Sequence, residues 1–131
     1  MREILFKAKR LDKGGWVEGC YLKKFDPLLG IAKHFILKQR EMQSFCDWYP
    51  VIGETVCQYT GLTDKNGVKI FEGDIVDIPG TKRPGIPAAV AYLQEQCQFV
   101  IARSGYNPVW LSEYDAEKTF VVIGNIHDKE D

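Results

Sequence analysis

The residues that could do acid–base chemistry or bind a metal in this chain are a group of carboxylates between positions 64 and 77. They are Asp64, Glu72, Asp74 and Asp77. A general acid–base pair, or a site for a divalent cation, would need at least two of them to converge in one cleft. No motif places a histidine or a lysine beside them. We therefore interpret them as solvated turn residues, with a carboxylate pair as the alternative.

The other residue types used in catalysis have no recognisable context. His34 lies among apolar residues and is expected at the surface or the core edge, and His127 follows the last predicted strand. Ser44, Ser104 and Ser112 lack a G-x-S-x-G context. The chain has neither a P-loop nor a dinucleotide-binding glycine motif. We predict that the protein is not an enzyme, and no cofactor or small-molecule substrate is indicated.

The four cysteines, Cys20, Cys46, Cys57 and Cys97, are irregularly spaced and form no CxxC pair. Zinc sites usually contain at least one close pair of ligands, so no metal site is predicted. No apolar run is long enough to cross a bilayer, and the first residues lack the apolar core of a signal peptide. These features predict a cytoplasmic protein with free thiols and no membrane partner.

A basic segment with interleaved aromatic residues is the main candidate for binding. Residues 1–40 carry ten Lys/Arg and four Asp/Glu, whereas residues 41–131 carry seven and fourteen. Small β-barrels bind single-stranded nucleic acid with aromatic side chains flanked by Lys and Arg. The candidate binding residues are Lys23, Lys24, Lys38, Arg40, Lys82 and Arg83, with Tyr21, Lys33 and Phe35 interleaved. Alternatively, the aromatic residues face the core and the lysines keep the strands soluble.

Two turns position the carboxylates. In Asp64-Lys65-Asn66-Gly67, the Asn-Gly pair tolerates the positive φ angles of a tight turn. In Glu72-Gly73-Asp74, the glycine permits an unusual φ and the aspartate can accept hydrogen bonds from nearby backbone N–H groups. Turn chemistry therefore accounts for these acidic residues without catalysis.

Short strands separated by turn signals predict the framework, a single domain over residues 1–131. The segment 41–50 reads as irregular, with Phe45, Trp48 and Tyr49 covering the core. Segment 31–38 is predicted as a strand, with a helix as the alternative. The other predicted strands cover residues 3–9, 16–22, 55–60, 74–78, 88–93, 98–103 and 120–126. About eight short strands with at most a short helix are typical of a mainly β protein, an antiparallel small barrel or sandwich.

Three stretches carry a distinctive pattern, in this order: REILFKA at 2–8, QYTGLTDKNGVKIFEGDIV at 58–76, and LSEYD at 111–115 followed by VIGNI at 122–126. Together they resemble the YopX family of bacteriophage and prophage proteins. The resemblance implies a β-rich fold and a phage or prophage origin in a bacterial host cell. It implies no activity, because the family has no established function. Residues 23–52 carry none of these motifs and are interpreted as a family-variable elaboration.

Taken together, the residues and the resemblance predict a non-enzymatic phage-type protein that acts through protein binding or self-assembly. The expected partners are a second copy of the chain and a phage or host protein, because a basic half and an acidic half favour such contacts. The alternative is a nucleic-acid-binding accessory protein in phage DNA transactions.

Overall fold

The computed structural model describes residues 4–12, 14–39, 46–77, 88–95, 97–102, 109–111 and 120–128. Over these ranges the chain forms eleven β-strands and one 3-10 turn, and no described helix could cross a membrane. The strands form two antiparallel sheets of six and five strands, which confirms the mainly β prediction. The chain divides into two compact units, Met1–Gln58 and Tyr59–Asp131.

The first unit is built around a long β-hairpin. Its elements are β1 (Phe6–Lys9), β2 (Trp16–Asp26), β3 (Ile31–Gln39), β4 (Cys46–Pro50), a 3-10 turn (Gly53–Thr55) and the start of β5 (Cys57–Thr63). In hydrogen-bonded order, the six-stranded sheet reads β4-β3-β2-β1-β5 and ends with β6 (Lys69–Phe71). Side chains alternate between the two faces of each strand. One face therefore supplies the core, which contains Ala8, Val17, Ile36 and Val51 with Phe6, Tyr21, Tyr49 and Val56 packed against it.

The second unit contains the rest of β5 and a five-stranded sheet. Its further elements are β6 (Lys69–Phe71), β7 (Asp74–Asp77), β8 (Ala88–Leu93), β9 (Gln98–Ala102), β10 (Val109–Trp110) and β11 (Val121–Asn125). The five-stranded sheet has the order β10-β9-β8-β7-β11, so β11 pairs with β7 rather than with its sequence neighbour. The core of this unit comprises Ile70, Val76, Ala88, Val90, Ile101, Leu111 and Phe120.

The segment 41–50 departs from its prediction. Residues 46–50 form β4, the edge strand, paired with β3 through partners such as Lys38 and Asp47. Tyr49 packs against the core as predicted. Trp48 does not, because strand alternation turns it to the opposite face, where it is 50% exposed. The helix alternative for 31–38 is wrong as well, because this segment is β3.

The remaining strand predictions are confirmed, within a few residues at their ends. The number of strands exceeds the predicted eight because β4, β6 and β10 are short and carry weak sequence signals. Phe45 lies outside the described residues.

Candidate functional site

The carboxylate of Asp64 accepts three hydrogen bonds from backbone N–H groups. It is buried, and its Oδ1 accepts the N–H groups of Asn66 and Val68 at 2.8 and 2.9 Å. Its Oδ2 accepts the N–H of Val122, at the start of β11, at 2.9 Å. Burial alone would raise the pKa of Asp64, but these three N–H groups outweigh it and hold the pKa below its ordinary value. The carboxylate therefore fixes the turn to β11, and the prediction that it is solvated is wrong.

Asp74 has a similar structural role in the second turn. Its Oδ2 accepts the N–H of Phe71 at 2.7 Å, and its Oδ1 accepts the side-chain amide of Asn125 at 2.9 Å. Between them, Gly73 has a φ of +85° and its carbonyl accepts the N–H of Ile126 at 2.9 Å. The predicted strand entry is confirmed, although Asp74 is buried rather than solvated. Within the described ranges, no group of three His, Cys, Asp or Glu residues could hold a metal ion.

His34 makes a local contact in the first unit. Its Nδ1 lies 2.6 Å from the hydroxyl of Tyr21, and the two rings are stacked with centroids 5.9 Å apart. Burial raises the pKa of Tyr21, so the hydroxyl keeps its proton at neutral pH. The backbone at Gly53 passes so close that a Cβ there would lie 2.5 Å from the imidazole Cδ2. This packing agrees with the expected position at the core edge.

The four cysteines all lie in described segments and none forms a disulfide. Cys57 is buried, and its thiol donates to the carbonyl of Thr55 at 3.2 Å. Cys20, Cys46 and Cys97 are exposed.

The structure does not gather the predicted basic residues on one surface. Lys23 and Lys24 are exposed neighbours on β2, so their side chains point to opposite faces of the sheet. Lys38 is exposed towards the other end of β3. The remaining predicted residues, Arg40, Lys82 and Arg83, lie outside the described segments.

Exposed apolar side chains lie at the end of the β2–β3 hairpin. The group, here called the hairpin tip, comprises Phe25, Leu28, Leu29 and Ile31, which are 63%, 95%, 62% and 51% exposed. Large apolar side chains in water forgo roughly 1.5–3 kcal/mol each of burial energy. Phe25 and Ile31 lie on opposite faces of the hairpin, and Leu28 and Leu29 lie in the turn between the two strands.

The hairpin tip is held in place by Asp26. Its Oδ1 accepts the N–H groups of Leu28 and Leu29 at 3.0 and 3.3 Å, and its Oδ2 lies 3.4 Å from the Lys33 ammonium. The N–H of Leu29 lowers the pKa of Asp26, and the N–H of Leu28 and the Lys33 ammonium add to this effect. Gly30 completes the turn at a φ of +67°. The turn therefore presents both leucines in a defined geometry.

Sequence reasoning missed the hairpin tip although a signal was available. The sequence Asp26-Pro27-Leu28-Leu29-Gly30 places two leucines between turn-forming residues. Residues at the apex of a two-stranded hairpin are far from any core, so leucines there are expected to be exposed.

The comparison with family models matches YopX protein over residues 6–130, nearly the whole chain. The chain belongs to the YopX family. The match runs through residues 23–52, the part that carries none of the quoted YopX motifs. Among solved structures, the chain is similar to the crystal structure of protein EF1440 from Enterococcus faecalis, with a TM-score of 0.56 and 24% identity. That similarity covers 97% of this chain and 95% of the other, and it supports a shared fold of the two chains. Among curated proteins, none matches this chain.

Proposed function

We propose that this protein is not an enzyme and acts by binding another protein through the hairpin tip. The observation that carries the proposal is the exposure of four large apolar side chains on a turn fixed by Asp26. The buried carboxylates support a non-catalytic role, because their oxygens are engaged by backbone N–H groups and an amide.

The chemistry of the tip defines the partner. Phe25, Leu28 and Leu29 would fill an apolar pocket, where anchors of this kind supply most of the binding energy. Lys23 lies two residues before Phe25, on the same face of β2, and is exposed. The partner surface is therefore an apolar pocket with an acidic rim.

Replacing both leucines of the tip tests this proposal. Leu28→Asp/Leu29→Asp should weaken binding to the partner by at least about thirtyfold, because truncating an interface anchor typically costs 2 kcal/mol or more. A photo-crosslinking residue at position 28 would first identify host or phage proteins held at the tip. Calorimetry with the purified partner then measures the affinity.

The matched control is Ile123→Asp, which changes an apolar side chain that is 62% exposed on β11. It should leave the affinity unchanged. Equal loss of binding in the control and the tip variant, or no protein crosslinked at position 28, would contradict the proposal.

A second candidate function is nucleic-acid binding, which the exposed lysines Lys23, Lys24, Lys33 and Lys38 favour. Binding to single- or double-stranded nucleic acid should then weaken steeply with salt, because phosphate contacts release counterions. Changing Lys23, Lys24 and Lys38 to Glu should abolish it. Titrations at two salt concentrations distinguish the candidates, since no binding at low salt eliminates this one.

The proposal includes a phage or prophage setting in the cytoplasm of a bacterial host. Family membership supports it, since the YopX motifs resemble those of phage and prophage proteins. Genes that surround the coding sequence would test the setting, and phage replication or assembly genes are expected among them.

A further inference from the structure

The face of the first unit opposite its core has an ordered pattern of side chains. We define the outer face as the side chains on β2, β3 and β4 that alternate with the core positions. Strand register arranges them in rows across the sheet, and Asp26–Ile31 is the row at the tip. Inwards from Asp26–Ile31, the rows are Lys24–Lys33, then Leu22–Phe35–Pro50, then Cys20–Leu37–Trp48, and beyond them lie Glu18 on β2 and the pair Gln39–Cys46.

The two central rows are apolar and are open to solvent. Trp48 is 50% exposed, and its ring meets that of Phe35 edge-on with centroids 5.5 Å apart. Leu22 and Leu37 are half-buried, and Pro50 is exposed. An apolar sheet face usually packs against a second layer. The outer face of β2, β3 and β4 therefore has the composition of one half of an interface.

The two flanking rows carry opposite charge. Lys24 and Lys33 form the row on the tip side of the apolar rows, and Glu18 lies on β2 at their other side. Lys7 lies opposite Glu18 on β1, but its ammonium is 4.7 Å from the centroid of the Trp16 ring. Lys33 is paired with Asp26, which leaves Lys24 as the charge of its row that we expect to meet an external acid.

We propose that a second copy of this chain covers the outer face in a two-fold symmetric dimer. The axis would run across the strands, midway between the two apolar rows. This operation places Leu22–Phe35–Pro50 of one protomer on Cys20–Leu37–Trp48 of its partner and pairs large side chains with smaller ones. It also brings Glu18 of each protomer onto Lys24 of the other. The pattern is self-complementary, as a two-fold interface requires.

A surface depression, here called the hollow, is compatible with this pairing. It is lined by Lys24, Phe25, Asp26, Pro27, Lys33 and Phe35. Because Asp26 already engages Lys33 at this hollow, Lys24 is the basic residue there that would receive a carboxylate from the partner. In the proposed register that carboxylate is Glu18.

Charge reversal at Glu18 and Lys24 tests both the partner and the register. Glu18→Lys alone and Lys24→Glu alone should each weaken the dimer by roughly five- to thirtyfold, because each creates two like-charge contacts per dimer. The double variant Glu18→Lys/Lys24→Glu restores opposite charges and should return the dissociation constant to within about threefold of the original. Sedimentation equilibrium at low salt measures these constants.

A second pair of variants tests the apolar rows. Trp48→Lys should give a monomer at concentrations where the unchanged protein is a dimer, whereas Ile123→Lys, at a matched exposed position on β11, should remain dimeric. Circular dichroism would confirm that each variant is folded. If Trp48→Lys does not fold, the charge-reversal variants alone test the dimer. An unchanged protein that is monomeric at about 100 µM would overturn the proposal, since functional dimers generally bind tighter. Failure of the double charge reversal to restore the dimer would overturn it equally.

The dimer does not depend on the proposed tip function. Leu28→Asp/Leu29→Asp should keep the dimer while losing the external partner. Loss of the dimer in that variant would contradict the outer-face interface, whereas loss of partner binding alone would not.

Discussion

Replacing Asp64 with alanine is expected to lower the free energy of unfolding by about 3 kcal/mol, because it leaves three backbone N–H groups without their acceptor. The groups belong to Asn66, Val68 and Val122, and the carboxylate is only 3% exposed. Urea unfolding followed by circular dichroism would measure the loss. Asp77→Ala, at an exposed aspartate on β7, is the matched control and should change stability by less than about 0.5 kcal/mol. Equal effects of the two substitutions would show that the Asp64 hydrogen bonds contribute nothing.

Asp64 also predicts a pH dependence. Its folded-state pKa lies below the ordinary value of about 3.9, so the ionised carboxylate stabilises the folded state. The contribution is fully present above the ordinary pKa and is lost as the pH falls through the folded-state pKa. Below about pH 4, the free energy of unfolding should therefore fall more steeply with decreasing pH for the unchanged protein than for Asp64→Asn. Parallel curves for the two proteins would exclude this contribution.

Replacing Gly73 with valine is expected to destabilise the protein by about 2–4 kcal/mol, because a β-branched residue is strained at the positive φ that this position requires. A Cβ there would also lie 3.3 Å from the amide nitrogen of Asn125, which is tighter than ordinary packing. Thermal unfolding would measure the effect.

Substitutions at two other glycines distinguish the effect of backbone strain from the effect of side-chain crowding. Gly61 has a φ of +91° with no atom within 4 Å of a built Cβ, and Gly15 has equally open space without a positive φ. The expected order of destabilisation is Gly73→Val, then Gly61→Val, then Gly15→Val. An unchanged melting temperature for Gly73→Val would mean that the turn around Asp74 does not need a glycine.

Local turn chemistry made much of the fold predictable. The predicted positions of the Asn-Gly turn and the Glu72-Gly73-Asp74 entry are confirmed, because each depends on residues adjacent in sequence, although Gly67 has a positive φ and Asn66 does not. The burial of Asp64 and Asp74 was not predictable in the same way. Their decisive partners, the N–H of Val122 and the amide of Asn125, are 58 and 51 residues away, and no local pattern encodes that proximity.

The same contrast between local and long-range information applies to the candidate surface residues. The strand that carries Lys23 and Lys24 continues to Asp26, beyond its predicted end at residue 22, and the separation of the two lysines onto opposite faces follows from strand alternation and not from their basic composition. The prediction for segment 41–50 places Trp48 over the core. The register of β4 against β3 instead places it outside, and register is set by pairing that composition does not specify.

The bonds from Asp64 and Asp74 to the β11 region have a consequence for the order of folding. Both turns are local, yet neither carboxylate has its full set of partners until a segment more than fifty residues later in the chain has docked. The chain must lose the entropy of closing loops of this length before these contacts can stabilise it. Topologies with such long-range contacts fold slowly. On the ribosome, the second unit would therefore wait for residues 121–125 before its two buried acids are satisfied.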